Sequence, residues 1–303
     1  MKELSGVRRG IMAEGDWVRL MDAKGRKHNL QLEAGKEFST KKGQIVHDDL
    51  IGRPEGIVIE SSMGSEYQVF RPLLHEYVVS MPRGAAIIYP KDAAQIVTMA
   101  DIFPGARVVE AGAGSGSLTA YLLRAVGANG MLASYELREE FAETARRNVE
   151  QLIGGEHPAW KLTIGDVREV IEETDVDRLI LDMVDPWTCV GLAEERLIPG
   201  GIVCAYVATT TQLSLFVETL RANGGFTEPT SWETIQRNWH LEGLSVRPDH
   251  QMIGHTAFLV TARRMAPGQT SLTKSRRPAP GAYGSDYKGP RPTGMDENGL
   301  TAT

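Results

Sequence analysis

Between about residue 90 and residue 264 the chain alternates short apolar runs with amphipathic stretches. Residues 107–110, 131–135, 161–164, 178–181 and 202–207 have the length and apolar content of buried strands. Residues 118–126, 141–153, 191–197 and 212–223 fall between them and follow a helical period. Strands that alternate with helices predict a mainly parallel sheet covered on both faces. Residues 230–233 and 256–262, joined by 236–255, read as a closing pair of strands. The expected fold class is therefore α/β, a doubly wound Rossmann-like sheet, over residues 81–265.

The pattern is different before and after this region. Residues 1–80 hold short alternating runs at 17–21, 56–60 and 67–70, separated by turn-forming Asp-Ala-Lys-Gly and Ser-Met-Gly-Ser segments. They predict a small N-terminal β-rich domain with no nucleophile or metal cluster, followed by a linker at Met81-Pro82-Arg83-Gly84. After Arg264 the chain turns rich in Pro, Gly, Ser and Thr and nearly loses its aliphatic residues. Such a segment cannot bury enough apolar surface to offset the entropy of ordering, so 266–303 is expected to be a disordered tail.

One glycine loop interrupts the strand–helix pattern at a telling place. Glu110-Ala-Gly112-Ala-Gly114-Ser115-Gly116-Ser117 follows the first strand of the sheet, and Leu118 continues the helix that it opens. Glycines let the backbone turn tightly and approach a ligand, and a helix start offers unpaired N–H groups. Dinucleotide sites use similar glycines, so the loop alone is weak evidence. Glu136 ends the next strand, 24 residues after Gly112, where a carboxylate takes the ribose hydroxyls of a nucleoside cofactor. Asp166 ends the third strand, placed for an adenine amino group, with the Val167 N–H beside it for a ring nitrogen. The spacing ExGxGSGS lacks the third glycine of the dinucleotide fingerprint. Taken alone, each acid reads as a helix cap or a surface charge. Three acids at successive strand ends around one loop point to S-adenosylmethionine instead.

The fourth strand ends Leu181-Asp182-Met183-Val184-Asp185-Pro186-Trp187, at the carboxyl edge where open α/β sheets bind ligands. A carboxylate followed by a Pro-aromatic pair suits the methylation of a base nitrogen: the acid accepts from an amino group and the rim shapes a flat slot. Asp185 is available to cap the following helix, which frees Asp182 for chemistry. Ile88-Tyr89-Pro90-Lys91-Asp92 precedes the first strand. Asp92 and Gln95 fit a capping box at a helix start. Tyr89 is a candidate wall of the base pocket, and Gln95 a candidate neighbour of the cofactor's methionine end.

Composition changes this picture only in part. The chain is 42% hydrophobic and 24% charged, has no apolar run of bilayer length and carries two isolated cysteines, Cys189 and Cys204. These features predict a cytoplasmic protein with neither a membrane anchor nor a metal site. The net charge of −6 is unusual for a protein that handles a polyanion. The charge is unevenly spread: residues 1–80 are neutral overall and 81–264 are strongly acidic, while 19–42 carry seven basic residues against three acidic ones. Charge alone fits a solvated surface slightly better than a nucleic-acid footprint.

The motifs Met81-Pro82-Arg83-Gly84, Ile88-Tyr89-Pro90-Lys91-Asp92, Glu110 to Ser117, Asp182 to Trp187, Tyr206-Val207-Ala208-Thr209-Thr210-Thr211-Gln212 and Gly254-His255-Thr256-Ala257-Phe258-Leu259-Val260 together resemble the TrmI family, in its actinobacterial branch. The resemblance runs from about Gly15 to Arg264. It implies a tRNA (adenine-N1)-methyltransferase acting on T-loop adenosine 58, a homotetramer, and S-adenosylmethionine as methyl donor without a metal. Carried over by position, it implies contacts from Ser115, Gly116, Ser117, Glu136, Asp166 and Asp182, with Tyr89 beside a flipped adenine and Asp182 as the acceptor for its amino group. The 19–42 strip is then expected to meet tRNA phosphates. A methyltransferase for a small molecule or a protein carboxylate fits the N-terminal module and the Asp182 segment poorly. A non-catalytic RNA-binding subunit fits the intact glycine loop poorly.

Overall fold

The computed structural model describes residues 10–272, 282–283 and 286–288. The N-terminal module is built from strands with one buried face: β1 (Trp17–Asp22), β2 (Lys27–Gln31), β3 (Glu37–Thr40), β4 (Gly43–Val46), β5 (Ile57–Glu60) and β6 (Glu66–Phe70). β2-β1-β6-β5 form an antiparallel sheet, and β3-β4 a separate hairpin. Val18, Leu20, Tyr67 and Val69 alternate inward to a core with Met12 and Leu50. β2, β3 and β4 have no counterpart in the hydrophobic pattern, because KHNLQ and EFST are short and mostly polar.

The chain then enters α1 (Leu74–Val78) and α2 (Pro90–Met99). The segment expected as a linker is packed rather than free. Leu74, Tyr77, Met81 and Ile87 share a buried cluster with Ala120 and Leu152 of the main body. The Pro82 carbonyl accepts from Asn148 at 2.8 Å.

The main body contains β7 (Arg107–Ala111), α3 (Ser117–Val126), β8 (Met131–Glu136), α4 (Glu139–Ile153), β9 (Trp160–Ile164), α5 (Val167–Val170), β10 (Val176–Leu181), α6 (Val190–Arg196), β11 (Leu197–Val207), α7 (Thr210–Asn223), β12 (Thr230–Trp232), β13 (Trp239–Glu242), β14 (Ser245–Pro248) and β15 (Phe258–Arg263). Seven of these strands form one sheet in the order β12-β15-β11-β10-β7-β8-β9. β7 to β11 run parallel and β15 returns antiparallel to β11. Two buried clusters, one around Val109, Leu181 and Phe216 and the other around Val108, Ile180 and Leu122, take alternate residues of the central strands, as a sheet buried on both faces requires. After β7 the chain steps outward through β8 and β9, then returns to β10 on the other side of β7. That reversal opens a crevice beyond the carboxyl ends of β7 and β10.

β13 and β14 form a two-stranded arm where the sequence pattern predicts only a connection. Its base is tied down by His255, whose Nε2 lies 2.9 Å from the Ala208 carbonyl oxygen and whose Nδ1 lies 3.1 Å from Glu233. Most of the expected tail falls outside the described residues. Where it is described, the Ser271 N–H donates to the Gly224 carbonyl at 3.3 Å, and the Tyr287 hydroxyl donates to Glu218 at the side of α7.

Candidate active site

The glycine loop lies in the crevice at the end of β7. Gly112 has φ +94°, and a Cβ there would meet the Asp182 carbonyl oxygen at 1.9 Å. Gly116 has φ +82° at the start of α3, and a Cβ there would press on Val149 and Ala145. Both positions lie in the left-handed region and against neighbouring atoms, so both require glycine. The loop is held from several sides. The Gly112 and Ala113 N–H groups donate to the Tyr135 carbonyl at 2.8 and 3.1 Å. The Gly114 N–H donates to Glu136 Oε2 at 2.8 Å.

The two loop serines serve mainly to clip the loop to the chain before α2. Ser115 Oγ accepts from the Gly84 N–H at 3.2 Å, and Ser117 Oγ donates to the Ile88 carbonyl at 2.9 Å. Leu118 is buried in the core. What these residues offer a ligand is backbone N–H at a helix start, which favours a carboxylate.

Glu110 is fully buried under the loop. Its Oε2 accepts from Thr119 at 2.8 Å and Ser134 at 2.6 Å, while Oε1 has no partner among the described residues. Burial pushes this carboxyl up to about 7. Glu136 is 6% exposed, with one oxygen on Gly114 and the other accepting from the Arg138 N–H at 3.1 Å. Asp166 caps α5 through the Arg168 N–H at 2.9 Å and is gripped by the Arg168 guanidinium, which holds it below the usual carboxylate range. Arg168 also reaches Asp185 at 3.1 Å, so it joins the ends of β9 and β10. Sequence reasoning missed Arg168 because its partners converge only in the folded sheet. Val167 turns its side chain into the core at the start of α5.

Asp182 follows β10 directly, and its N–H donates to the Ala111 carbonyl at 2.8 Å. Its carboxylate receives no hydrogen bond from any described residue, although it is packed deeply enough that burial, with Glu110 and Glu136 nearby, pushes it up to about 7. The loop after it is fixed by Gln212, whose Nε2 donates to the Val184 carbonyl at 2.9 Å. Trp187 packs against the core beside Met183.

Tyr89 is the residue from which α2 starts, half-buried, with Pro90 in the first turn. The capping box expected from Asp92 and Gln95 does not form. Asp92 is buried and bonds Lys91 and Thr256, because a charged neighbour and a hydroxyl just before β15 outcompete the local backbone. Gln95 lies half-buried on α2. Tyr206, at the end of β11, stands close enough to Tyr89, Asp92 and Asp182 for each to raise its hydroxyl pKa, although burial is the larger cause. Tyr206 belongs to one of the family-like motifs, yet nothing in the chain pattern marks it for a role. Leu137, directly after Glu136, is 67% exposed.

Together these groups fit S-adenosylmethionine: a glycine cradle that a Cβ would fill, a helix start for its carboxylate, Glu136 for its ribose, and buried carboxylates around a cationic centre. Among the described residues no group of three or more His, Cys, Asp or Glu side chains is placed to hold a metal.

Comparison with known proteins agrees with this geometry. Residues 10–59 match the family described as TrmI-like N-terminal, and residues 68–247 match the family described as tRNA methyltransferase complex GCD14 subunit. The tRNA (adenine(58)-N(1))-methyltransferase TrmI of Thermus thermophilus is 38% identical over 81% of this chain and 95% of its own length. The crystal structure of tRNA (m1A58) methyltransferase TrmI from Aquifex aeolicus matches with a TM-score of 0.73 and 28% identity, covering 85% of this chain and all of that one (100%). A Thermotoga maritima structure described as a SAM-dependent O-methyltransferase matches with a TM-score of 0.79 and 31% identity over 85% of this chain and 96% of its own. The chain belongs to the TrmI family of tRNA (adenine-N1)-methyltransferases.

Proposed function

We infer that this protein transfers a methyl group from S-adenosylmethionine to N1 of adenosine 58 in the T-loop of tRNA. The observation that carries the reading is the placing of Asp182: a carboxylate with no hydrogen-bond partner among the described residues, whose main chain closes on the glycine loop at Gly112. One wall thus serves both the methyl donor and the base.

The bound cofactor supplies an electrophilic methyl group on a sulfonium. Adenine N1 has a free lone pair, so the protein's task is alignment, which can contribute several kcal/mol. As N1 gains the methyl group, positive charge spreads to the N6 amino group. Asp182, ionised, accepts from N6–H and stabilises that charge more in the transition state than before it. The target base must leave its stack to reach this slot, and Tyr89 gives it a ring to lie against. Ser115, Ser117 and Leu118 present backbone N–H groups. Gly116, whose N–H donates to the Ala113 carbonyl at 2.8 Å, lets the loop turn beside the cofactor. Glu136 holds the ribose, and Asp166 with the Val167 N–H reads the adenine of the cofactor. Glu110 shapes the site from below, and Gln95 faces the cofactor's methionine end.

The enzyme works in the cytoplasm as a homotetramer. Both cysteines are free thiols. The arm carries Leu241, Leu244 and Val246 at 73%, 104% and 57% exposure, an apolar edge that assembly would cover. Incubating unmodified tRNA with labelled cofactor and identifying the product nucleoside tests the whole reading. The expected product is 1-methyladenosine at position 58. Label on another atom, or on a protein carboxylate, overturns it.

A further inference from the structure

Residues 234–254, which carry β13 and β14, leave the main sheet as one excursion. The antiparallel pairing of β12 with β15 stops at Trp232 and Leu259. Inside the excursion β13 pairs with β14, the Asp249 N–H donates to the Asn238 carbonyl at 2.9 Å, and Arg247 lies 2.9 Å from His250. Among the described residues no hydrogen bond or ion pair runs from 234–254 to the rest of the chain. The two residues that flank the excursion close it instead. His255 Nδ1 lies 3.1 Å from Glu233 Oε2, and His255 Nε2 lies 2.9 Å from the Ala208 carbonyl oxygen, between β11 and α7.

Both oxygens that face the ring are acceptors. A neutral imidazole has one N–H and one lone pair, whereas an imidazolium donates from both nitrogens. A neutral ring would set a lone pair against an oxygen on one side, so this arrangement calls for the charged form. The surroundings agree. The Ala208 carbonyl, and after it the Glu233 carboxylate, raise the pKa of the ring above its ordinary value, while desolvation and the Lys91 charge oppose them. Lys91 is itself paired with Asp92 at 2.7 Å. The Phe258 ring lies 4.7 Å from the imidazole between centroids, a neighbour that suits a cation. The side chains of His255 and Glu233 are 44% and 41% exposed, so protons reach them from solvent.

We propose that His255 is a proton-operated clasp: doubly protonated, it joins Glu233 and Ala208 and fixes the base of the arm, and on losing a proton it releases one of them and lets the arm swing. A histidine whose folded-state pKa is raised contributes fully below its unfolded value of about 6.5, and less as pH rises through its own midpoint. The arm is therefore held most firmly in mildly acidic solution. Histidine C2-proton exchange, read by mass spectrometry on the full chain, gives each ring its own midpoint and separates His255 from His240 and His250 of the arm. The His255 midpoint should lie above about 6.5, and Glu233→Gln should lower it. Amide exchange of peptides from 234–254 reads the arm itself. His255→Gln keeps one donor, as the neutral ring does, and comparing it with wild type at each pH cancels the intrinsic pH dependence of exchange. At about pH 6 the wild-type arm should exchange about two- to fivefold more slowly than the variant, the range for an exposed charged pair. The gap should close as pH rises past the His255 midpoint. If His255→Gln does not fold, Glu233→Gln carries the same comparison. A His255 midpoint at or below about 6.5, equal exchange at every pH, or a gap that persists unchanged into alkaline solution overturns the clasp.

Discussion

A methyl group added at Gly112 would meet the main-chain carbonyl oxygen of Asp182 at 1.9 Å. The cofactor loop and the proposed base acceptor are thus parts of one rigid contact between β7 and β10, whose registers pair Ala111 with Leu181 immediately before it. No side chain gives way there, since both partners are backbone.

Gly112→Ala therefore combines a steric clash with a left-handed φ of +94°. The expected destabilisation is about 1–3 kcal/mol from backbone strain alone, with both cofactor affinity and turnover reduced together because the loop and Asp182 move as a pair. Thermal melting and calorimetry on the same preparation check this. A variant that binds cofactor normally and fails only in turnover would show that the two walls move independently.

Glu136→Gln should weaken S-adenosylmethionine binding by about 1.5–3 kcal/mol, the range for hydrogen bonds to a charged group. Glu136→Ala should do more, because it also strips the acceptor of the Gly114 N–H, 2.8 Å away, and loosens the loop. Titration calorimetry without tRNA separates these effects. Equal affinities for wild type and both variants would remove Glu136 from the site.

Asp182 and Glu110 are both pushed up to about 7 by burial, with Glu110 and Glu136 adding to the shift of Asp182. Asp182 must be ionised to accept from N6–H, so single-turnover methylation should fall as pH drops through about 7. Asp182→Ala should cost about 100-fold above about pH 7, where the wild-type carboxylate is ionised, with the gap narrowing below it. Glu110→Gln removes one repelling charge and should move the midpoint to lower pH. Stability follows the opposite sign. A carboxyl with a raised folded-state pKa binds its proton more tightly when folded, so its contribution declines as pH rises from the unfolded value toward about 7. A flat rate profile between about pH 6 and 8 would mean that Asp182 is not the titrating acceptor.

The strand–helix alternation and the glycine loop could be read from the chain because each is local: a period, a turn chemistry, an acid at a strand end. The structure places Glu110, Glu136, Asp166 and Asp182 in or just after β7, β8, β9 and β10, where the chain pattern put them. What those acids bond could not be read this way, since it depends on pairs remote in sequence. Thr256 and Asp92 are 164 positions apart, and Arg168 meets Asp185 only after β9 and β10 take their places in the sheet. The same limit explains the capping box expected at Asp92 and Gln95, where a local rule yielded to a tertiary partner. It also explains the arm, whose apolar residues face outward and so match no buried pattern.

The basic strip at 19–42 is where structure most alters expectation. Arg19 is 8% exposed and paired with Glu76. Arg26 holds the enclosed Asp22 at 2.6 Å and Lys42 lies 3.2 Å from the same carboxylate, which is driven well below its usual range chiefly by the Arg26 hydrogen bond. Lys36 pairs with Glu33 and Lys27 approaches Glu76. Lys24 and Lys41 alone in the strip have ammonium groups without a partner among the described residues. Internal pairs leave little charge for phosphate, so tRNA binding should fall to these two lysines. Removing one cation that neutralises a phosphate flattens the dependence of log affinity on log salt by about 0.7–0.9. Lys24→Ala with Lys41→Ala should therefore weaken tRNA binding and reduce the slope, leaving S-adenosylmethionine affinity unchanged. Arg26→Ala should instead lower the melting temperature by freeing the Asp22 carboxylate, with a smaller effect on the slope. Filter binding across a salt series, paired with thermal melts, distinguishes the two. An unchanged slope in the double variant would place the strip on the solvated face and assign the tRNA phosphates to another surface.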